Sequence, residues 1–500
     1  MKERREIPDK WFLVPIISLF IHLIYRMIDQ SKMIFHFALD YHNDVSSYMA
    51  QLHFLKVCGF HQICPYWYNG FETFKFSPPG WYMLNYPLYL ILNDVKIVTY
   101  ISIVLMLIAG FIIFYRLGKL ADMSTTKRIA FFALFFGNAS AIGNFIRLGR
   151  VNEMLSWVFF IALFFIFYYY KDKKIDYKFY VCIPLYALIV LSYHTTGVLS
   201  SLLWLGFLLT KKSTKDFLKT IISGILSLGL TSFWLVPFIL NIFSESAIPE
   251  LKQGKWIWYF GKNALFTNIA VLIMPLIFII LFYFYYKGEN RNNTNFRLFM
   301  PVVVLGALFL LRLTPLLPVF NQIYPDPILH FLVFFGIFFL LKLDINELGS
   351  KMKNIAVHSI MILTFLSISV NLFYTPYFSV PDSEIEKEFI SYVPLVKERF
   401  IMVGSYPEGP FPKAFYSFAG TKNKASISGW YPEEKDYSYI KGMAEVYIAF
   451  DEGRMDDFKT KLKEFNTSEV MTRSEFCEKL NIKEFRNVAI GNKTCLYTLE

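Results

Sequence analysis

The chain has 500 residues, of which 55% are hydrophobic and 19% aromatic, and its mean hydropathy is +0.41. This composition is too apolar for a soluble domain of ordinary usage, so a soluble enzyme is excluded as a description of the whole chain. The net charge of +11 gives no reason to propose nucleic-acid binding, because the basic residues cluster at the ends of apolar segments.

Apolar runs long enough to cross a hydrocarbon core about 30 Å thick predict about eleven transmembrane helices. The candidate spans are 11–29, 97–116, 128–146, 153–170, 178–194, 196–210, 218–240, 263–286, 297–312, 328–343 and 354–373. Every second loop is basic, which predicts a cytoplasmic N-terminus and an extracytoplasmic C-terminal region. We therefore expect an α-helical polytopic protein of the cell membrane.

The chain is predicted to have two domains, a transmembrane domain over 1–375 and a soluble extracytoplasmic domain over 376–500. In the first, the outer loop 30–96 contains two short amphipathic helices, at 41–57 and 80–92. The second is expected to have an α/β or α+β fold. Its predicted elements are a helix at 455–465 and strands at 400–403, 488–490 and 494–499.

Four of the five cysteines fall in regions predicted to lie outside the cytoplasm. Cys58 and Cys64 share the first outer loop, and Cys477 and Cys495 share the C-terminal region. An oxidising compartment allows both pairs to form disulfides, although the sequence does not decide whether either pair is bonded. Cys182 lies in an apolar span and is expected to be buried.

An acidic motif follows the first span. If the helix continues, His36, Asp40 and Asp44 lie at i, i+4 and i+8 on one face. Two carboxylates on one face can hold a divalent cation or act as a general base. The alternative is that Asp40 ends or caps a helix while Asp44 is solvated. The aromatic loop around the motif favours the functional interpretation.

A second cluster lies between the third and fourth spans, where Arg147, Arg150 and Glu153 meet a predicted outer interface. Arginines at this face run against the positive-inside bias, and their rigid fork of donors suits phosphate or carboxylate. The alternatives are snorkelling to lipid headgroups, or an Arg–Glu pair across the turn. Both interpretations stay open.

Two histidines, a further arginine and an aspartate are also candidates for substrate or phosphate binding. His194 lies between two apolar stretches, where a polar residue is costly; a satisfied, packed histidine is the alternative. Arg312, Asp326 and His330 surround the outer loop between the ninth and tenth spans and could converge on an anionic headgroup. Equally, Arg312 and Asp326 could simply pair with each other.

Several motifs together resemble the GT-C superfamily of membrane glycosyltransferases. The likeness extends to prokaryotic, often archaeal, multi-span proteins described as related to 6-pyruvoyl-tetrahydropterin synthase. The motifs that carry it are Asp40 to Asp44, Trp67-Tyr68-Asn69-Gly70, Ser77-Pro78-Pro79-Gly80-Trp81-Tyr82, Gly149-Arg150-Val151-Asn152-Glu153, the turn at His194, Ser232-Phe233-Trp234-Leu235-Val236-Pro237 and Gly429-Trp430-Tyr431-Pro432-Glu433. The last motif looks like a glycine-aromatic loop that some members present to their active site, which makes Trp430 and Tyr431 candidate binding residues.

The resemblance implies transfer of a sugar from a polyprenyl-phosphate-linked donor to an acceptor at the outer membrane face, with inversion. In this interpretation Asp40 is the base, and positive charge from the arginines assists the phosphate leaving group. A divalent cation (Mg²⁺ or Mn²⁺) held by Asp40, Asp44 and His36 is a candidate cofactor. The partners implied are the lipid-linked donor, membrane lipid and an unidentified glycan, lipid or protein acceptor. No nucleic-acid partner is expected.

Two other functions stay open. The chain could be a transporter or flippase of lipid-linked or polar solutes, although the spans are expected to hold almost no charged residue at mid-membrane depth. It could also be a non-catalytic envelope assembly protein that keeps a GT-C-like shell and uses its C-terminal region for binding.

Overall fold

The computed structural model is mostly helical, and it describes residues 7–37, 44–242, 265–288, 292–343, 349–374, 384–404 and 410–500. Backbone contacts divide the chain into two compact units. The helical unit contains Met1–Ile28, Ile103–Leu235 and Gln253–Pro376; the mixed unit contains Asp29–Ser102, Val236–Lys252 and Tyr377–Glu500. The division differs from the two predicted domains because the first outer loop groups with the C-terminal region.

The helices up to residue 374 are α1 (Leu13–Phe35), α2 (Val45–Val57), α3 (Gly80–Leu92), α4 (Val95–Leu117), α5 (Thr125–Phe136), α6 (Ala139–Ala141, continued by a π-helix over Ile142–Arg147), α7 (Val151–Tyr170), α8 (Cys182–Ser192), α9 (His194–Thr210), α10 (Thr214–Ile242), α11 (Leu265–Gly288), α12 (Asn293–Leu310), α13 (Pro325–Leu341) and α14 (Gly349–Tyr374). The later helices are α15 (Glu384–Tyr392), α16 (Pro410–Thr421), α17 (Tyr437–Asp451), α18 (Met455–Glu464) and α19 (Ser474–Cys477). The strands are β1 (Ile63–Cys64), β2 (Phe71–Glu72), β3 (Phe400–Met402), β4 (Glu469–Arg473), β5 (Phe485–Ile490) and β6 (Thr494–Leu499). Short 3-10 turns occur at Asp9–Phe12, Gly118–Ala121, Tyr177–Val181, Thr314–Leu316, Phe320–Gln322, Val393–Leu395, Pro432–Glu434 and Glu478–Leu480.

Within the described part of the chain, six helices are long and apolar enough to cross a membrane. They are Asp9–Phe35, Val95–Ala121, Val151–Tyr170, Thr214–Ile242, Val271–Gly288 and Asn293–Leu310. A seventh span results if the bent pair Thr125–Phe136 and Ala139–Arg147 counts as one. The remaining four predicted spans coincide with shorter apolar helices, so the count of about eleven stays a prediction.

The third predicted span is broken rather than straight, and Asn138 accounts for the break. Its side-chain amide donates to the carbonyl oxygens of Leu134 and Phe135, and its side-chain oxygen accepts from the backbone N–H of Ala141. One side chain thus closes the end of α5 and opens the next turn. The two segments meet at 48°.

Helix α7 is the most buried of the six long apolar helices, since 94% of its apolar stretch is buried inside the protein. Its aromatic rings contact α13 at successive positions in the same chain order. Trp157 packs against His330 (4.8 Å between centroids), and Tyr168, further along α7, packs against Phe338, further along α13 (5.2 Å). The two helices therefore run parallel. The predicted loop order requires this direction, because both helices correspond to spans expected to enter from the outer face.

The mixed unit combines the first outer loop with a four-stranded sheet of order β3-β4-β6-β5. Strand β3 is parallel to β4, while β4–β6 and β5–β6 are antiparallel. Both cysteine pairs are disulfides, Cys58–Cys64 and Cys477–Cys495, and Cys182 is a buried free thiol. Helix α2, predicted to be amphipathic, is instead buried on nearly all sides over Val45–Leu52.

Candidate functional site

The acidic motif after the first span is only partly visible. Asp40 lies outside the described residues. Helix α1 ends at Phe35, and Phe37 has a left-handed backbone (φ 72°) that no continuous helix allows. The predicted single face carrying His36, Asp40 and Asp44 required the helix to continue, and this condition is not met at Phe37. His36 is exposed in the turn, and Asp44 immediately precedes α2.

The C-terminal region contacts both flanks of this motif inside the mixed unit. On the N-terminal side, the ring of Phe37 packs edge-on against Phe418 at 5.2 Å. On the C-terminal side, Ser47 Oγ lies 2.9 Å from the hydroxyl of Tyr431. The Ser47 hydroxyl donates to the backbone oxygen of Asp44 (2.7 Å), so the Tyr431 hydroxyl must donate to Ser47. The first turn of α2 is thereby fixed to the C-terminal region.

The loop that presents Tyr431 is seated on the aromatic motif of the first outer loop. Gly429 lies so close that a Cβ there would come within 2.7 Å of Trp67 and 2.8 Å of Tyr68. The backbone N–H of Asn69 donates to the carbonyl of Ser426, and the N–H of Ser426 donates to the carbonyl of Tyr66. Two motifs about 360 residues apart in sequence thus form one junction. We define it as the Gly429 junction, residues 66–69 with 426–431.

Tyr68 and Asn69 adopt left-handed backbone conformations (φ 51° and 56°), which are costly for a bulky side chain such as tyrosine. Tyr68 is nevertheless almost fully buried, at 1% exposed. Trp430, the second predicted binding residue of the loop, is 9% exposed. The junction is therefore a well-packed structural support, and the motif residues within it are mostly inside the protein.

The second predicted cluster forms an ion-pair group in the helical unit. The guanidinium of Arg150 contacts the carboxylate of Asp326, and its Nη1 lies 3.6 Å from Oε2 of Glu153. The side chain of Glu153 is fully buried, whereas those of Arg150 and Asp326 are 19% and 35% exposed. Asp326 thus pairs with Arg150, and the Arg–Glu pair across the turn is present as well.

His330 lies one helical turn after Asp326 on α13, where the same face meets α7. Its imidazole is surrounded by the rings of Phe135 (4.7 Å), Trp157 (4.8 Å) and Phe145 (4.9 Å). It is fully buried, and neither ring nitrogen has a hydrogen-bond partner among the described residues. His330 therefore lies on the same face of α13 as Asp326, but within an aromatic pocket.

The other predicted site residues lie at the ends of helices in the same unit. Arg147 ends the π-helix before α7, and His194 begins α9, half-buried beside the ring of Tyr193. Arg312 follows α12 in a left-handed conformation (φ 56°). Their predicted roles in phosphate or substrate binding stay predictions.

A buried polar stripe on α1 escaped the sequence analysis. His22, Arg26, Asp29 and Gln30 are each at most 5% exposed, and their spacing puts them on one face of the helix. The opposite face carries exposed isoleucines, for example Ile21 at 64%. Helix α1 thus contains two buried charged residues, Arg26 and Asp29, while the expectation about charge at mid-membrane depth stays a prediction. The recurrence of polar residues at helical spacing within an apolar run was the signal for this stripe.

A divalent cation receives no direct support from the described residues, among which no group of three or more His, Cys, Asp or Glu side chains could hold a metal ion. Asp40, the central ligand expected, lies outside them. The cofactor expectation therefore stays a prediction.

Comparison with known proteins gives a result at the level of fold. No protein-family model matches the chain, and no curated protein matches it by sequence. Among solved structures, it is similar to the arabinofuranosyltransferase AftD from Mycobacteria, with a TM-score of 0.54 and 13% identity over 99% of the chain. It is also similar to the oligosaccharyltransferase AglB from Archaeoglobus fulgidus, solved with an inhibitory peptide and a dolichol-phosphate, with a TM-score of 0.53 and 9% identity over 91% of the chain.

The chain spans 40% of the length of AftD and 69% of the length of AglB. Identities this low establish the fold and not the activity. Together with the apolar helices, the two likenesses lead to one conclusion: the chain is a multi-pass membrane protein with a GT-C-like fold.

Proposed function

We propose that this protein is a glycosyltransferase that moves a sugar from a polyprenyl-phosphate-linked donor to an acceptor at the extracytoplasmic membrane face. The observation that carries the proposal is the fold likeness to two glycosyl-transferring membrane enzymes, which extends over nearly the whole chain. One of them was solved with a dolichol-phosphate, which supports a lipid-phosphate donor here.

The extracytoplasmic location is supported by the two disulfides of the mixed unit, because such bonds persist in oxidising compartments. The reaction proposed is a direct displacement with inversion. The acceptor oxygen forms a bond to the anomeric carbon, the bond from that carbon to the phosphate oxygen breaks, and Asp40 takes the acceptor proton. Negative charge then develops on the phosphate, where a guanidinium such as that of Arg150 would stabilise it. A cation on Asp40 and Asp44 would add Lewis-acid stabilisation.

The test is transfer of labelled sugar by the purified chain in lipid nanodiscs, with a panel of polyprenyl-phosphate sugars as donors. We expect Asp40→Asn to reduce turnover by at least about a hundredfold, because an amide cannot accept the proton. The matched control is Asp122→Asn. Asp122 is exposed and has a left-handed backbone (φ 52°) that asparagine tolerates well. Full activity of Asp40→Asn would remove this residue from the mechanism.

A transporter is the second candidate, because the α1 stripe places Arg26 and Asp29 in the interior of an apolar helix. Buried charges in a helix that crosses the membrane often mark a transport path. Scrambling of a fluorescent polyprenyl phosphate between leaflets would test it. Scrambling that is lost in Arg26→Leu, without any sugar transfer by the wild-type chain, would favour transport over catalysis.

A further inference from the structure

Among the described residues, the guanidinium of Arg150 contacts two carboxylates, those of Glu153 and Asp326, and the two carboxylates are in unequal positions. Glu153 is fully buried in the first turn of α7, and neither of its oxygens has a hydrogen-bond partner among the described residues. Asp326 is 35% exposed, in the first turn of α13. Only Asp326 can therefore turn into water at low cost.

The surroundings of Arg150 suit an anion that arrives from outside. Helices α7 and α13 run parallel, so their N-terminal ends, with the positive ends of their dipoles, lie at the same end of the helical unit. Arg150 immediately precedes α7, and Asp326 lies within the first turn of α13. The carboxylate of Asp326 thus occupies the position that an external anion would take.

We propose that Asp326 is a displaceable internal competitor for Arg150, and that a phosphate ester replaces it when a lipid-linked substrate binds. Glu153 stays in place and keeps the guanidinium oriented, while the phosphate oxygens take the place on the guanidinium that the Asp326 carboxylate leaves. The inference rests on the proposed lipid-phosphate donor. It adds that the affinity for the donor depends on competition between its phosphate and the Asp326 carboxylate for Arg150. An anion that binds Arg150 more weakly than Asp326 does leaves the Arg150–Asp326 pair intact.

This exchange makes an unusual prediction, namely that removing an acidic residue strengthens binding. We expect Asp326→Asn to bind a short-chain polyprenyl monophosphate about three- to tenfold more tightly than the wild-type chain, because a competing charge is lost. Asp326→Glu, which keeps the charge, should bind like wild type. Arg150→Gln should bind at least about tenfold more weakly.

The matched control is Asp172→Asn, which removes an acidic partner of Lys171 just beyond the other end of α7. It should leave the affinity unchanged. Equilibrium binding is measured in phosphatidylcholine nanodiscs, and phosphatidylglycerol replaces polyprenyl phosphate in a parallel series. A thermal unfolding midpoint for each variant shows whether the fold is intact, and Asp326→Ser serves as a second charge-removing variant.

The outcomes separate the two proposals. Binding that depends on Arg150 but is equal or weaker in both Asp326→Asn and Asp326→Ser would overturn the exchange and leave the proposed donor standing. If polyprenyl phosphate binds to none of the chains, the lipid-phosphate donor itself fails. If phosphatidylglycerol competes as strongly as polyprenyl phosphate, the group is a general phospholipid site, and the proposed role in substrate binding is overturned.

Discussion

The burial of His330 is energetically unfavourable. A buried polar group without a hydrogen bond costs about 1–3 kcal/mol, and this imidazole has three aromatic rings around it and no partner for either nitrogen among the described residues. Either the protein gains function from the imidazole, or the ring is retained only because it fills the space. The two explanations predict different behaviour of an aromatic variant without polar atoms.

We expect His330→Phe to raise the free energy of unfolding by about 1 kcal/mol, because the unsatisfied nitrogens are replaced by carbon in an aromatic environment. If the imidazole contributes to turnover, the same variant loses activity while it gains stability. Thermal unfolding and sugar transfer, measured on the same samples, separate the two effects. His330→Gln keeps a polar group with a poorer fit and should be less stable than wild type. A destabilised His330→Phe would contradict this account.

Gly429 makes the second prediction at this scale. A methyl group there would overlap Trp67 and Tyr68, which are 0% and 1% exposed and cannot move aside. We expect Gly429→Ala to destabilise the mixed unit by about 1–3 kcal/mol and to weaken the hydrogen bond from Tyr431 to Ser47. Unfolding followed by tryptophan fluorescence would measure the loss.

Gly229→Ala is the control for that experiment. Gly229 lies within α10 with no atom within 4 Å of the added Cβ, so alanine should be neutral or slightly stabilising. Equal stability of the two alanine variants would show that the junction is not closely packed.

The sequence predicted which residue types could form a binding site better than it predicted which residues contact each other. The pairing of Arg150 with Glu153 followed from their spacing, because a turn brings i and i+3 together. The pairing with Asp326, 176 residues away, did not, since nothing local distinguishes it from a pair between Arg312 and Asp326. The same limit applies to Gly429 and Trp67, whose proximity is fixed only by the tertiary fold.

At the scale of elements, the sequence predicted the bounds of helices and strands well where the apolar pattern starts and ends abruptly. Helix α3 and strand β6 have the predicted bounds, Gly80–Leu92 and Thr494–Leu499. Strand β4 was missed, although it pairs with both β3 and β6. Its sequence, Glu469–Arg473, has charged residues at both ends and only three residues between them. Its position inside the sheet, rather than its pattern, makes it a strand.

The turn between β5 and β6 is held by a carboxylate from another element, α15. Glu388 accepts hydrogen bonds from the backbone N–H groups of Asn492 (2.9 Å) and Lys493 (3.0 Å) and from the hydroxyl of Thr494 (2.7 Å). Although desolvation raises the pKa of Glu388, the hydrogen bonds from Thr494, Lys493 and Asn492 outweigh it and hold the pKa below its usual value. The carboxylate therefore stabilises the fold in its charged form.

The lowered pKa of Glu388 determines how the stability of the fold changes with pH. Because the folded-state pKa is depressed, the stabilisation is fully present above the unfolded pKa of about 4.3 and is lost as the pH falls through the folded value. We expect Glu388→Gln to lower the free energy of unfolding by about 1–2 kcal/mol at pH 7 and to lose less stability than wild type on acidification. Thermal midpoints between pH 7 and pH 3 would measure both.

Glu475→Gln is the control for the pH series, because the Glu475 side chain is 57% exposed and its Oε1 lies 3.8 Å from Nη1 of Arg473, a long and weak pair. Its stability profile should follow that of wild type. If Glu388→Gln and Glu475→Gln gave the same stability profile, the hydrogen bonds of Glu388 to the turn between β5 and β6 would have no measurable effect on stability.

For the whole molecule, contacts between loops support the predicted alternation of sides. Lys211, after α9, and Lys219, in α10, donate to backbone oxygens of Lys173 and Ile175 in the loop that follows α7. Lys342, after α13, donates to the backbone oxygen of Ala121, after α4. Each contact joins two segments between or at the ends of spans that the basic residues assign to the cytoplasmic side. The sequence predicted this arrangement because charge bias is a property of loops and does not depend on how the spans pack.

The remaining step is the absolute orientation, which a pair of reporter fusions decides. With an odd number of spans and a cytoplasmic N-terminus, the C-terminus is extracytoplasmic, where the disulfide Cys477–Cys495 can form. Alkaline phosphatase fused after Glu500 should therefore be active in a bacterial host, and green fluorescent protein at the same position should be dark. A fluorescent protein fused after Lys212, in a predicted cytoplasmic loop, should be bright. Bright fluorescence at both positions would require an even number of spans and would place the mixed unit in a reducing compartment. The extracytoplasmic acceptor site would then be untenable, because the first outer loop belongs to the same unit.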